Sequence, residues 1–268
     1  MGSLVNDKKY KSRLINIIDY IDNHKLDNKV INFKTKLENK DNYGDNYPTN
    51  PGNLSFEIKD IGEKALQRAL LLAKINTIDY KKDYNRYEKI RWIDAELPVV
   101  LNKNSRRLCI DLIGSLAGIP SICELKFSQS TSSDSPYYAV VEILSYYYFV
   151  RKNAEYLDKN KVNHKNSDQF HWMLFIKNQL PQLLVLANES YWNAWFSRKD
   201  YEKDEFVNQV FDWGSDLDTN IGLYTCPDVD FKKQLGKQTK YTPTISKDFF
   251  IEKFKISSEK WADILQLK

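Results

Sequence analysis

The sequence predicts an α/β protein, a mixed central β-sheet flanked by α-helices, with a helical extension at the N-terminus. Three observations carry this. Two stretches rich in β-branched and large apolar residues, 107–112 and 121–127, are separated by a segment holding Gly114 and Gly118, which reads as the turn between paired strands. Apolar residues at helical spacing precede and follow that pair, at 60–76 and 137–154. Further strand-like runs stand at 92–101 and 182–187.

Taken in order, residues 4–38 read as two helices, the first with Leu14, Ile17, Ile18 and Ile21 on one face. Residues 39–53 are polar and carry Gly44, Pro48, Pro51 and Gly52, so they form a loop or linker. In 60–76 the residues Ala65, Leu66, Ala69, Leu70 and Ala73 build an amphipathic helix. Residues 92–101 are the expected first core strand, bulged or at an edge because of Pro98. The paired stretches alternate Leu108, Ile110, Leu112 and Cys123, Leu125, Phe127, a pattern of central strands. Residues 128–135 are a Ser-rich loop, and Ser135 with Pro136 makes a cap and first turn for the helix at 137–154. Residues 170–177 and 182–187 read as strands around Pro181. The aromatic residues Tyr191, Trp192, Trp195, Phe196, Phe211 and Trp213 suit the packing of a helix on the sheet better than base stacking. An edge strand at 221–226 and an amphipathic helix at 246–267 complete the reading. The units are then an N-terminal helical segment and linker (1–55), a core (56–190), and an aromatic-rich extension packed on the core (191–268).

One constellation carries chemistry. Glu124 and Lys126 lie two apart on a strand, so they share a face, and pairing with the preceding strand brings Asp111 beside Glu124. Two carboxylates and an ammonium then meet in one small place. A surface ion pair would use the same spacing, but these strands are apolar on both faces. A carboxylate on a central strand is costly unless it is paired or bound to a metal. Glu142 and Tyr146, four apart on the next helix, lie on one flank of its apolar stripe. Glu63 borders the buried face of the upstream helix, although Asp60-x-x-Glu63 also reads as a capping box. Glu96, on the first core strand, is a more remote candidate.

This order of strand, strand and helix, with Asp111, Glu124-Leu125-Lys126 and Glu142-Ile143-Leu144-Ser145-Tyr146, resembles the PD-(D/E)-x-K nuclease superfamily. Ile110 stands where the family's motif has proline, and Glu142 stands where its RecB-like branch has glutamine. The resemblance implies a restriction-endonuclease-like core and a metal-dependent endonuclease cutting phosphodiester bonds, in restriction, repair or phage defence. It implies Asp111, Glu124, Lys126, Glu142 and Tyr146 as catalytic residues. It implies Mg²⁺ or Mn²⁺ held by Asp111, Glu124, the Leu125 carbonyl and Glu63. The alternative is a non-cleaving module that binds nucleic acid or protein on the same fold.

Composition narrows the partners. A formal net charge of +4 is mild and permits nucleic acid, DNA in preference to RNA. Basic clusters stand at Lys8-Lys9-Tyr10-Lys11-Ser12-Arg13, across 81–91 and across 232–240. With 42% hydrophobic and 28% charged residues and no long apolar run, a soluble chain with no membrane partner is expected. The polar N-terminus lacks a signal-peptide core, and three cysteines make no disulfide framework, so a cytoplasmic location follows. The reading admits a homodimer. The three histidines lack metal spacing with the cysteines, and neither a glycine-rich phosphate loop nor Gly-x-Ser-x-Gly occurs.

Overall fold

In the computed structural model the described residues are 3–23, 62–80, 86–100, 108–128, 134–159, 171–177, 182–199, 201–231, 233–234, 241–242 and 248–258. Seven strands form the sheet: β1 (Ile75–Tyr80), β2 (Arg86–Val100), β3 (Leu108–Leu116), β4 (Ile119–Lys126), β5 (Gln182–Asn188), β6 (Asn220–Cys226) and β7 (Lys255–Ser258). They pair in chain order, and β7 inserts between β6 and β1, so the sheet closes into a barrel. Lys233–Gln234 and Tyr241–Thr242 make a separate two-residue ribbon.

This closure overturns the open sheet of a restriction-endonuclease-like α/β core. Strands run both ways: β1 to β4 are successively antiparallel, and β4–β5 and β5–β6 are parallel. The two edges of such a sheet would be β1 and β6. Instead β7 pairs parallel with β1 and antiparallel with β6, leaving neither edge bare. The helix expected at 246–267 is replaced by a π-helical turn, Phe249–Lys253, followed by β7. Phe250, Phe254 and Ile256 are spaced ambiguously, but alternating burial at Ile256 and Ser258 is the strand period. For the same reason 221–226 is no edge strand, since β6 lies between β5 and β7.

Other boundaries moved as well. The helix expected at 60–76 is α2 (Glu63–Ala73), stopped by Lys74 in the left-handed region (φ 66°), after which β1 begins. The strand expected at 170–177 holds instead the short helix α4 (Leu174–Lys177). Gly114 lies within β3, where an added Cβ would stand 2.7 Å from the Arg91 carbonyl oxygen. The hairpin turn is Ala117-Gly118, both at positive φ, flanked by the Leu116↔Ile119 pair. Residues 24–61 and 259–268 lie outside the described residues, and with them the expected second helix, the 39–53 linker and the tail of the last helix.

The remaining helices are α1 (Ser3–Asn23), α3 (Pro136–Lys159), α5 (Glu189–Phe196) and α6 (Lys203–Asp216). Two apolar clusters divide the core. One gathers residues from all seven strands, among them Ile78, Trp92, Leu125, Leu186, Tyr224 and Ile256, around Leu66 and Leu70 of α2. On the other face Ile113, Ile122, Val185 and Leu223 pack against α3 and, through it, Leu14 and Ile21 of α1. Tyr191, Trp192, Trp195 and Trp213 are buried in that second cluster, and Phe206 and Trp213 contact the Tyr137 ring at 5.0 and 5.9 Å. The aromatic stretch therefore packs helices. Two barrel strands, β6 and β7, come from beyond residue 190. No disulfide joins the cysteines, and Cys123 and Cys226 are buried. No helix of the described residues is long and apolar enough to cross a membrane.

Candidate active site

Asp111, Glu63, Glu124, Lys126 and Glu142 are brought together where α2, α3, β3 and β4 converge. The β3–β4 ladder runs from Leu116↔Ile119 to Leu112↔Cys123 and ends there. One residue further on, the Asp111 carboxylate takes over: its Oδ2 accepts the Leu125 backbone N–H at 2.8 Å. Gln67 of α2 donates its side-chain amide to the Asp111 carbonyl at 2.9 Å. Asp111 is thus held by both its main chain and its side chain.

Lys126 occupies the centre. Its Nζ lies 2.7 Å from Glu124 Oε1 and 3.0 Å from Glu142 Oε2, and only 5% of the residue is exposed. Glu124 is 3% exposed, and its second oxygen, Oε2, has no hydrogen-bond partner among the described residues. Glu63 reaches across from the first turn of α2, where its Oε2 accepts the Phe127 N–H at 3.3 Å. The N-cap of α2 is Gly62, and Glu63 bonds the strand end at Phe127; Asp60, the other half of the expected capping box, lies outside the described residues. Tyr146, 2% exposed, sits behind Glu124 and Glu142, whose charges act on its hydroxyl.

The electrostatics show acidic groups crowded around a single ammonium. Burial raises the Glu63, Asp111 and Glu124 carboxyl groups above the ordinary range, and neighbouring carboxylates push further. Asp111 is pushed up to about 8, first by burial and then by the charge of Glu63. Burial alone would lower Lys126, but Glu124, Glu142, Glu63 and Asp111 outweigh it and hold the ammonium charged. Tyr146 rises through burial and then through Glu124. Four carboxyl groups thus surround one ammonium. Their donors are oxygens, the set a hard divalent cation prefers, and Glu124 Oε2 is a buried acceptor lacking a donor. Among the described residues no group of three or more His, Cys, Asp and Glu side chains stands close enough to hold an ion as arranged.

Leu125 contributes its N–H to Asp111 and its side chain to the core around α2. Glu96 lies on β2 between Ala95 and Leu97, the partners of Leu112 and Ile110; its side chain lies outside the described residues. Of the basic stretches, 8–13 belongs to α1. Lys81, Lys82 and Lys232 lie outside the described residues, and Lys89 and Arg91 are exposed on β2.

Sequence reasoning missed three contributors. Gln67 stands four residues after Glu63, and Tyr138 four before Glu142, so each follows its helix face into the site; that spacing was the available signal. Asn188, at the end of β5, accepts the Ser128 N–H and donates to the Ser128 carbonyl, both at 3.0 Å, and also donates to Asp228. This clamp fixes the chain two residues beyond Lys126, and no pattern marks it in the sequence.

Fold and site together define a closed mixed barrel with a buried carboxylate–lysine centre at the end of β4. No family model, curated protein or solved structure matches the chain.

Proposed function

We propose that this protein is a cytoplasmic, metal-dependent endonuclease that hydrolyses phosphodiester bonds in DNA, and that its site is kin to that of the PD-(D/E)-x-K nucleases even though its sheet is closed. The observation that carries the reading is the convergence of Asp111, Glu124 and Lys126 with Glu63 and Glu142 in one buried cluster, with an acceptor of Glu124 left unpartnered. Four acidic side chains buried around one ammonium are a poor way to stabilise a fold, because each loses solvation that a single ammonium cannot restore. They are a good way to attract a divalent cation and a phosphate behind it.

Asp111 and Glu124 would hold Mg²⁺ or Mn²⁺, with the Leu125 carbonyl and Glu63 as further oxygen ligands. Bound there, the ion would supply Lewis acidity to a phosphoryl oxygen and acidity to a water. Lys126, kept charged by its carboxylate neighbours, stabilises negative charge developing on the phosphorane-like transition state and orients the attacking water. Glu142 fixes the Lys126 ammonium through its 3.0 Å contact, and Tyr146 closes the buried side against solvent. The competing reading is a non-cleaving module in which Lys126 is only an ion-pair partner. The observation in its favour is that Lys126 already touches two carboxylates.

One experiment separates them. The purified chain is incubated with supercoiled, linear and single-stranded DNA and with RNA, in Mg²⁺, Mn²⁺ or chelator. Cleavage is expected with either metal and none with chelator. Lys126→Ala is expected to lose about 10²- to 10⁴-fold in turnover while still binding DNA, as removal of a transition-state contact does. Absence of cleavage under every metal, or full activity in Lys126→Ala, rules the nuclease reading out.

A further inference from the structure

A line of polar contacts leads from the buried centre to the surface and ends on a cation that no carboxylate pairs with among the described residues. Lys126 contacts Glu142 at 3.0 Å. One turn earlier on α3, Tyr138 places its hydroxyl toward Glu142 and its ring 5.9 Å from the Lys126 ammonium. On the outer side of that ring lies Arg13 of α1. Its guanidinium carbon stands 4.3 Å from the ring centroid, and its Nη2 donates to the Tyr138 hydroxyl at 2.7 Å. Arg13 is exposed and Tyr138 half-buried, so the pair marks the boundary between site and solvent.

Three cations along this helix seam are matched with acids, Lys11 with Asp216, Lys152 with Asp22 and Arg151 with Asp218, and Lys9 lies 5.8 Å over the Tyr10 ring. Arg13 is matched with a tyrosine. Among the described residues no carboxylate pairs with it; its guanidinium lies on the ring and one nitrogen of its fork donates to the hydroxyl. An arginine stacked on a ring has already lost much of its side-chain freedom. It presents planar donors that fit a phosphate oxygen pair. Its seat is firm, because α1 is anchored beside it: Tyr10 stacks on Tyr137 at 5.6 Å and accepts the Ser135 hydroxyl at 2.8 Å, and Leu14 is buried.

We infer that Arg13, seated on Tyr138, is the anchor for a backbone phosphate of the substrate at the entrance to the carboxylate–lysine centre. This rests on the nuclease reading and adds to it the residue that captures the polyanion. The need is physical: the ammonium of Lys126 is already taken up by Glu124 and Glu142, so a fixed external cation supplies the charge that draws a phosphodiester chain and sets where it lies. The anchored phosphate is a neighbour of the scissile one, since Arg13 reaches the centre only through Tyr138 and Glu142.

The test is binding of a fluorescein-labelled 20-base-pair DNA duplex, followed by anisotropy in Ca²⁺ with KCl varied from 50 to 200 mM. Arg13→Gln keeps a donor for the Tyr138 hydroxyl and removes the charge. It is expected to weaken binding about tenfold at the lowest salt and to reduce the slope of log affinity against log salt by about 0.9, one phosphate contact. Lys152→Gln, which removes a cation already paired with Asp22, is expected to change neither. Cleavage in Mg²⁺ is measured alongside. If the wild type binds and cuts while Arg13→Gln matches it in affinity and slope, the anchor is wrong and the nuclease reading stands. If Lys152→Gln weakens binding equally, the effect is bulk charge and the anchor is wrong. If the wild type neither binds nor cuts, both fall together.

Discussion

Changing Asp111 to Asn is expected to stabilise the protein at alkaline pH, an unusual result for a residue so central. Asp111 is pushed up to about 8 in the folded state by burial and by Glu63, while an unfolded aspartate titrates near 3.9. Between those values the folded chain keeps a proton that the unfolded chain releases. The stability this proton confers is fully present below the unfolded value and is lost as pH rises through the folded one. Each pH unit in the window costs up to about 1.4 kcal/mol per retained proton, so the ceiling from pH 5 to pH 8 is about 4 kcal/mol. Glu63 and Glu124 are raised in the same direction and share the titration, so the loss belongs to the cluster as a whole. Lys126 is raised above its ordinary value, and its contribution is lost only above the lysine range, outside this window. Asn can still accept the Leu125 N–H that Asp111 accepts at 2.8 Å. The assay is urea denaturation followed by tryptophan fluorescence, in chelator, at pH 5, 6, 7 and 8. Wild-type stability should fall with pH, and Asp111→Asn should fall less and be the more stable by about 2 kcal/mol at pH 8. Mg²⁺ at a hundredfold excess over its dissociation constant should return about 2.7 kcal/mol to the wild type and little to the variant. Wild-type stability that is flat or rises from pH 5 to 8, or a variant with an unchanged slope, refutes the reasoning.

Two further outcomes test the frame around the site. Asn188→Ala removes both bonds to Ser128 and the one to Asp228, and should cost about 2–4 kcal/mol in chemical denaturation, because half-buried backbone groups lose their partners. Loss below 1 kcal/mol would mean that the clamp is incidental. Gly114→Ala places a Cβ 2.7 Å from the Arg91 carbonyl oxygen and 3.1 Å from the Trp92 ring, so β2 and β3 must separate. A destabilisation of about 1–3 kcal/mol is expected by thermal or urea melting, and a wild-type melt would show that the strands yield freely.

The central residues were legible because the strand period is short and strict. Glu124 and Lys126 had to share a face, and one hairpin sufficed to bring Asp111 near them. The helices α2 and α3 were legible from their apolar stripes, including the approach of Glu63 and Glu142. Barrel closure was not. It depends on β7, a strand of four residues whose apolar neighbours Phe250 and Phe254 also fit a helix. It depends equally on β1, hidden as the tail of a helix because the stop is made by Lys74 at positive φ, where composition carries no glycine signal. Arg13 was visible only as one member of a basic run. Its contact with Tyr138 spans 125 residues, a distance over which local pattern says nothing.

The seam formed by β7 has a consequence for how the chain is made. Thr77, Ile78 and Asp79 wait for Lys255, Ile256 and Ser257, so the first barrel strand is completed by partners about two thirds of the chain away. During synthesis β1 and β6 present open hydrogen-bonding edges until the segment at 255–258 has emerged. Such edges invite pairing with other nascent chains, and contacts this distant in sequence form slowly. A chain interrupted before residue 255 would carry every residue of the catalytic centre proposed above and still be an aggregation hazard.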